Sequence, residues 1–211
     1  MGSALLSQWV AGPDAITVIN PSPRPVPDGV TLLSSPEQLG DRRFDCIIAA
    51  VKPQMFDDVM PNMPSAIGRG VSGLFAAPDV TDAQAEHAAG FMKLAGSVIV
   101  VADEDRIDRV TTVAGSGPGY IFEIARAYVD AAMAQGFTKT EARDMVLETM
   151  AGTVAMAIAN PDTPLDELRD TVTSKGGTTA AGLHALNGDG EMTRRMHATL
   201  EACYDRAVEL R

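Results

Sequence analysis

The sequence contains few cysteines and lacks any long hydrophobic run. Its two cysteines, Cys46 and Cys203, lie far apart and form no CxxC or Cys/His pattern, which argues against a zinc site or a disulfide framework. No apolar run approaches the ~20 residues that a membrane-spanning helix needs. The first residues also lack the basic start and apolar stretch of a signal peptide. We therefore expect a soluble protein in the reducing cytoplasm, with no membrane partner.

Basic residues are also scarce. The chain has 17 Lys and Arg against 28 Asp and Glu, giving a formal charge of −11, and it has no cluster of basic side chains that could neutralise phosphates. We expect no nucleic-acid partner. The three histidines, His87, His184 and His197, stand in helical segments without metal-ligand spacing, so the sequence indicates no metal site. The expected partners are small molecules or other protein chains.

The pattern of hydrophobic residues divides the 211-residue chain into two domains. Short β-branched runs alternate with helical stretches in the first hundred residues, and this alternation predicts an α/β domain with a parallel sheet over residues 1–103. The predicted strands are Ile16–Ile19, Phe44–Val51 and Ser97–Val101. The pattern from residue 104 to residue 211 is entirely helical, which predicts an all-α second domain.

Local signals predict where several helices of the second domain begin and end. One apolar face runs from Ile121 to Met133, and Gly136 is a natural stop. Thr138 and Glu141 have capping-box spacing and predict the start of a long helix that ends at Ala159, before Asn-Pro. A short helix toward Arg169 and two further helices on either side of Gly188 follow.

A glycine-rich turn, Thr173–Thr179, stands immediately before one of these helices and is suited to hold an anion. Helix first turns offer unpaired N–H groups and the positive end of the macrodipole, and hydroxyls add directional donors. An ordinary helix cap uses the same residue types. A second glycine-rich turn, Ala114–Tyr120, also enters a helix, and by itself it is a weak signal because inter-domain turns use the same residues.

Three motifs together are similar, in order and spacing, to the signature of pyrroline-5-carboxylate reductases. They are Glu104–Asp108, the Gly-Ser-Gly-Pro-Gly-Tyr turn and Val172–Thr179, and the resemblance extends from about Met60 to Arg211. Family members often have Ser at position 114, Ala at 119 and Pro at 175, where this chain has Ala, Gly and Lys. None of these departures removes a group that would take part in chemistry.

The resemblance implies NAD(P)H-dependent reduction of 1-pyrroline-5-carboxylate to L-proline. It assigns the substrate carboxylate and ring to Thr178 and Thr179, with Ser174 and Gly177 in support. Glu104 and Asp162 would border the same pocket, and the Thr179 hydroxyl, near the ring nitrogen, is the predicted catalytic contact. A protonated cyclic imine is already electrophilic, so the reaction depends mainly on positioning. The helical half would form a homodimer or a higher homo-oligomer.

The resemblance also implies a Rossmann-like first domain that binds the cofactor. The end of the predicted strand Phe44–Val51 and the loop that follows it would lie against the nicotinamide side through Ala50, Val51, Lys52 and Pro53. Strand Ile16–Ile19 is followed by Asn20, Ser22 and Arg24 without an acidic residue, which favours NADPH over NADH. Gly2 and Thr171 complete the predicted cofactor residues.

This first domain is predicted to be incomplete. The G-x-G-x-x-G fingerprint is missing, and Met1-Gly2 resembles its last two positions. Lys52 and Asn62 are also closer in sequence than in the family. Either a deletion joins two parts of the domain near Val59–Pro61, or the sequence omits part of a longer chain. In a chain this short we expect weak or absent cofactor binding.

Two other functions stay open at this point. The helical half could act only as an oligomerisation module, without catalysis. A hydroxy-acid dehydrogenase would share the two-domain plan but would need a catalytic Lys or His on its long helix. Residues 120–136 contain neither, which argues against that second alternative.

Overall fold

The computed structural model describes residues 2–20, 24–40, 42, 59–78 and 80–210 of the chain. The first part contains helices α1 (Gly2–Trp9), α2 (Asp82–Lys93) and α3 (Glu104–Val110). Its strands are β1 (Thr17–Ile19), β2 (Thr31–Leu33), β3 (Val59–Pro61), β4 (Gly70–Phe75) and β5 (Gly96–Val101). The second part contains α4 (Gly117–Ala134), α5 (Lys139–Ala159), α6 (Leu165–Thr171), α7 (Thr178–Asn187) and α8 (Glu191–Glu209).

The described strands form two small sheets. β1 and β2 are parallel and pair Thr17 with Thr31, whereas the second sheet has the order β3-β4-β5. β5 runs parallel to β4, as the alternating pattern predicts, but β3 is antiparallel to it. The sequence therefore predicted β1 and β5 and missed β2, β3 and β4. The predicted strand Phe44–Val51 lies outside the described residues.

Close backbone contacts explain why β4 is rich in small residues. A Cβ atom on Gly96 would overlap the backbone of Gly70 in the neighbouring strand, and Gly96 has a φ of +143°, which only glycine adopts easily. A Cβ on Gly73 would press against Ile107 and Val110 of α3. The glycines that make β4 a weak strand signal thus allow strand and helix to approach each other.

The core between α1, α2 and β5 centres on aromatic and sulfur-containing side chains. Trp9, Met92 and Ala95 are buried there, with Phe91 and Val98 packed against them. The rings of Trp9 and Phe91 are tilted, with centroids 4.5 Å apart. Full burial of a side chain of this size contributes roughly 1.5–3 kcal/mol, so this cluster stabilises the first part of the chain.

The chain folds into two compact units, Met1–Pro118 with Cys203–Arg211 and Gly119–Ala202. The second unit is entirely helical, which confirms the helical pattern predicted after Asp103. α5 begins with the predicted capping box of Thr138 and Glu141 and ends at Ala159, as predicted. Within the described ranges, no helix has the length and apolar composition needed to cross a membrane.

Candidate anion-binding turn

The glycine-rich segment between α6 and α7 folds as a tight turn. The N–H of Gly177 donates to the carbonyl oxygen of Ser174 over 3.0 Å, and Gly176, at the third position, has a φ of +72°. A positive φ at this position is characteristic of a type II turn, which favours Gly there. The sequence therefore determines the turn through Gly176.

Gly177 lies against the side chain of Ser174. A Cβ atom on Gly177 would overlap the Ser174 hydroxyl oxygen. Gly177 is also the N-cap residue of α7, with φ −77° and ψ 173°. The turn thus packs the Ser174 hydroxyl beside the point where α7 begins.

The first turn of α7 keeps its N–H groups available. No side chain caps it, and the first helical bond runs from the N–H of Ala181 to the carbonyl of Gly177 over 3.2 Å. The N–H groups of Thr178, Thr179 and Ala180 precede that bond and have no partner within the helix. Thr178 and Thr179 are exposed, as is Lys175 in the turn. This arrangement of N–H groups, hydroxyls and one cation can bind a carboxylate.

Two threonine hydroxyls at the end of α6 are used within the fold. The Thr171 hydroxyl donates to the carbonyl of Leu168 over 2.6 Å, and the Thr173 hydroxyl donates to the carbonyl of Arg169 over 2.7 Å. The first bond lies within the last turn of α6, and the second joins Thr173, just after the helix, to that turn. The hydroxyl proton of Thr171, a predicted cofactor residue, is therefore directed at the protein's own backbone.

The other predicted substrate residues lie outside the turn. Asp162 is exposed in the loop between α5 and α6, where the N–H of Thr163 donates to the carbonyl of Asn160 over 3.2 Å. Glu104 is exposed in the first turn of α3, which belongs to the first unit. The structure thus joins Ser174, Gly177, Thr178 and Thr179 in one turn, and it places Asp162 in a separate loop of the same unit.

The predicted cofactor residues are only partly described. Asn20 directly follows β1, and its N–H donates to the carbonyl of Leu33 over 2.9 Å. Arg24 is exposed, and Gly2 is the first residue of α1. Ser22, Ala50, Val51, Lys52 and Pro53 lie outside the described residues. The described part thus has a polar residue and a cation after the carboxyl end of β1, where open α/β sheets place ligands.

A polar cluster beside Glu104 was not predicted. The Asp105 carboxylate accepts hydrogen bonds from the Tyr204 hydroxyl and, over 2.7 Å, from Nε of Arg109. The Arg109 guanidinium also lies 4.4 Å from the centre of the Tyr204 ring. Hydrogen bonding to Asp105, followed by its charge, raises the pKa of Arg109. The cluster fixes the first turn of α3, and no local signal reveals it because Asp105 and Tyr204 are 99 residues apart.

The fold and the turn define a class of protein: an α/β unit joined to a helical unit with an uncapped, glycine-preceded helix start. The family model described as "Pyrroline-5-carboxylate reductase dimerisation" matches residues 104–210. A pyrroline-5-carboxylate reductase of Vibrio alginolyticus is 41% identical over 152 residues, which cover 72% of this chain and 56% of that relative. The chain belongs to the pyrroline-5-carboxylate reductase family.

Solved structures agree with this assignment and with the predicted α/β plus helical fold class. A pyrroline-5-carboxylate reductase from Coxiella burnetii matches with a TM-score of 0.86 and 28% identity, covering 99% of this chain and 94% of that chain. The pyrroline carboxylate reductase of Plasmodium falciparum, solved with NADP bound, has a TM-score of 0.84 at 23% identity, covering 100% and 94% of the two chains. The chain spans 55–65% of the length of the curated relatives it matches.

Proposed function

We propose that this chain is an NADPH-dependent reductase that converts 1-pyrroline-5-carboxylate to L-proline. The observation that carries the proposal is the uncapped first turn of α7, with Thr178 and Thr179 exposed, in a member of this family. We also propose that residues 1–103 form the cofactor domain and residues 104–211 the substrate domain. A biosynthetic reductase of this kind would act in the cytoplasm.

The substrate carboxylate would bind at the start of α7. The N–H groups of Thr178, Thr179 and Ala180 form the positive end of the helix dipole. The Ser174 side chain lies next to Gly177, the residue that precedes them. Lys175 adds a nearby positive charge. Asp162 and Glu104 are proposed to border the bound ring.

The proposed catalytic contact is the Thr179 hydroxyl at the ring nitrogen. It would hold the protonated imine in one orientation by accepting a hydrogen bond from the ring N–H. The bound iminium carbon needs no further acid to become electrophilic. The residues of this chain therefore act by orienting the ring and by fixing its carboxylate, and orientation accounts for much of the rate of such reactions.

The described residues fit a nicotinamide dinucleotide with a 2′-phosphate. Arg24, exposed after β1, has the planar donor set that phosphate prefers, and Asn20 offers a second polar group. The N-terminus of α1, at Gly2, presents N–H groups of the kind that bind pyrophosphate. When bound, NADPH supplies the hydride that reduces the C=N bond. NADH lacks the 2′-phosphate that Arg24 is proposed to bind.

The helical unit is proposed to form a homodimer or a higher homo-oligomer. Residues 150–159, the second half of α5, carry only small, apolar or hydroxyl side chains and no charge, yet in α5 only Ala142 and Val146 are buried. Val154, Met156 and Ile158 are 56%, 60% and 66% exposed. A helix that is apolar all round is expected to be buried, and exposed apolar patches mark interfaces. Because the matching family model describes dimerisation, we propose that a second copy of the chain covers these exposed side chains.

A non-catalytic oligomerisation module is the second candidate function. The exposed apolar side chains of α5 favour it because they require a partner whether or not cofactor binds. The two candidates make the same prediction for oligomeric state. They differ in whether the chain binds NADPH and turns over the imine.

The test is a titration of the purified 211-residue chain with NADPH, followed by nicotinamide fluorescence. 1-Pyrroline-5-carboxylate is then added, and cofactor oxidation is measured at saturating concentrations. Saturable binding followed by turnover to proline supports the reductase. A folded, oligomeric chain that binds no NADPH supports the oligomerisation module.

A further inference from the structure

Asn62 is a polar residue buried beside β4. It is 8% exposed and lies between β3 and the short 3-10 turn Met63–Ile67. A buried amide is costly unless its donor and acceptor groups are both hydrogen-bonded. The partners of Asn62 therefore indicate what the residue does.

The Asn62 side chain joins two segments that are distant in sequence. Its Oδ1 accepts from the N–H of Val71 in β4 over 2.9 Å, and its Nδ2 donates to the carbonyl of Ala114 over 3.0 Å. The Val71 N–H can only donate and the Ala114 carbonyl can only accept, so the two partners determine the orientation of the amide. The main chain of Asn62 adds a bond of 3.3 Å from its N–H to the carbonyl of Val71.

Ala114 lies in the last turn before the chain leaves the first unit. Residues Thr111–Gly115 form a single π-helical turn, closed by a 2.9 Å bond from the N–H of Ser116 to the carbonyl of Thr111. α4 then begins at Gly117, and the boundary between the units follows Pro118. π-turns within helices are frequent at functional sites. The side chain of Asn62 ties this turn to the sheet through its bonds to Ala114 and Val71.

We propose that Asn62 is a positioning residue of the reductase, which fixes the backbone of residues 114–118 from the sheet side. The proposal rests on the proposed function, in which NADPH binds the first unit and the substrate carboxylate binds the second. The segment held by Asn62 joins these two units along the chain. Hydride transfer is sensitive to displacements of about 1 Å, so loosening this segment lowers the rate of the chemical step.

The test uses Asn62→Asp, which keeps an acceptor for the Val71 N–H and replaces the donor to Ala114 by a second carboxylate oxygen. At neutral pH the new carboxylate faces the Ala114 carbonyl and repels it. Once protonated, the carboxyl can donate to that carbonyl and restore the contact. Burial shifts this protonation above the ordinary Asp pKa of about 3.9, so the contact returns as the pH falls toward that value.

Two readouts are compared with wild type at each pH. Amide hydrogen exchange in residues 115–120 should become roughly tenfold faster in Asn62→Asp at neutral pH, about the effect of losing one hydrogen bond. kcat per bound NADPH should fall roughly tenfold, with KM little changed. Both differences should shrink as the pH is lowered.

Thr112→Val is the matched control. Thr112 is buried in the same turn, and its hydroxyl donates to the carbonyl of Asp108 over 2.9 Å, within its own helical segment. Its replacement should lower the melting temperature without a pH-dependent change in kcat. If Asn62 had a purely structural role, Asn62→Asp would also lower the melting temperature without a pH-dependent change in kcat.

The outcomes separate this inference from the proposed function. Unchanged exchange in residues 115–120 at every pH would overturn the inference, as would changed exchange with unaltered kcat per bound NADPH. A wild-type chain that turns over no imine refutes the proposed function and, with it, the effect of Asn62 on turnover. Exchange in residues 115–120 would then still report whether Asn62 holds the turn.

Discussion

Threonine hydroxyls near the glycine-rich turn differ in the bonds they already make. Those of Thr171 and Thr173 donate to carbonyls of α6 over 2.6 and 2.7 Å. Thr178 and Thr179 are exposed on a helix start that no side chain caps. Two of the residues predicted to bind the substrate, Thr178 and Thr179, thus lie at the open helix start.

Thr179→Val tests the proposed catalytic contact. Valine keeps the shape of threonine and removes its hydroxyl, so the ring nitrogen loses its partner while the carboxylate site remains. We expect kcat/KM for 1-pyrroline-5-carboxylate to fall roughly ten- to a hundredfold, the range for one hydrogen bond to a charged group. Steady-state kinetics with saturating NADPH would measure the change.

Two further variants control this experiment. Thr179→Ser restores a hydroxyl and should recover most of the activity. Thr199→Val removes a hydroxyl that donates to the Arg195 carbonyl within α8 over 2.8 Å, and it should leave kcat/KM nearly unchanged. Equal activity in Thr179→Val and wild type would exclude Thr179 as a catalytic residue.

At the scale of elements, the start of α5 depends on a reciprocal cap. The Thr138 hydroxyl accepts from the N–H of Glu141 over 3.3 Å, and the Glu141 carboxylate accepts from the Thr138 N–H over 2.9 Å. A hydrogen bond from the Thr138 hydroxyl, and then one from its backbone N–H, lowers the pKa of Glu141. A carboxylate with a lowered pKa in the folded state stabilises that state above its ordinary pKa, and the contribution is lost as the pH falls.

Thr138→Ala should therefore lower the melting temperature by a pH-dependent amount. At neutral pH we expect a decrease of roughly 2–4 °C, typical for the loss of an N-cap in a chain of this size. The difference from wild type should begin to narrow as the pH falls below the ordinary Glu pKa of about 4.3, and it should narrow further as Glu141 becomes protonated in the folded wild type at its lowered pKa. Thermal melts followed by circular dichroism measure it, and a difference independent of pH would contradict the assigned cause.

At the scale of the whole molecule, the helical unit leaves much apolar surface uncovered. Its exposed large side chains include Phe122, Leu165 and Val172 in addition to those of α5. The family model that matches this unit describes dimerisation. An oligomer would cover these side chains, and the apolar area removed from water would stabilise it by about 25 cal/mol per Å².

Ile158→Glu should shift the protein from oligomer to monomer. Ile158 is 66% exposed in α5, and a carboxylate there would lose its water on association. Ile67→Glu is the matched control, because Ile67 is 75% exposed in the first unit. Light scattering after size-exclusion chromatography measures the mass. A monomeric wild type, or equal dissociation by both variants, would contradict the proposed interface.

The sequence by itself determined the features that depend on neighbouring residues. Capping residues and stop signals lie within a few positions of the helix ends they set, so α5 was predicted to within one residue, from the Thr138 cap to Ala159. The glycine-rich turn before α7 was predicted for the same reason, because the positive φ within the turn needs a glycine locally at Gly176. The resemblance to the family, carried by three short motifs, was confirmed.

Tertiary structure alone decided which distant residues meet. Asn62 bonds to Ala114 across 52 residues and Asp105 to Tyr204 across 99, and no local pattern specifies such partners. β4 escaped prediction because its glycines weaken the strand signal, while the fold needs them where Gly73 meets α3 and Gly70 meets Gly96. Local propensity sets where an element starts, but close packing between elements decides which small or polar residue each position tolerates.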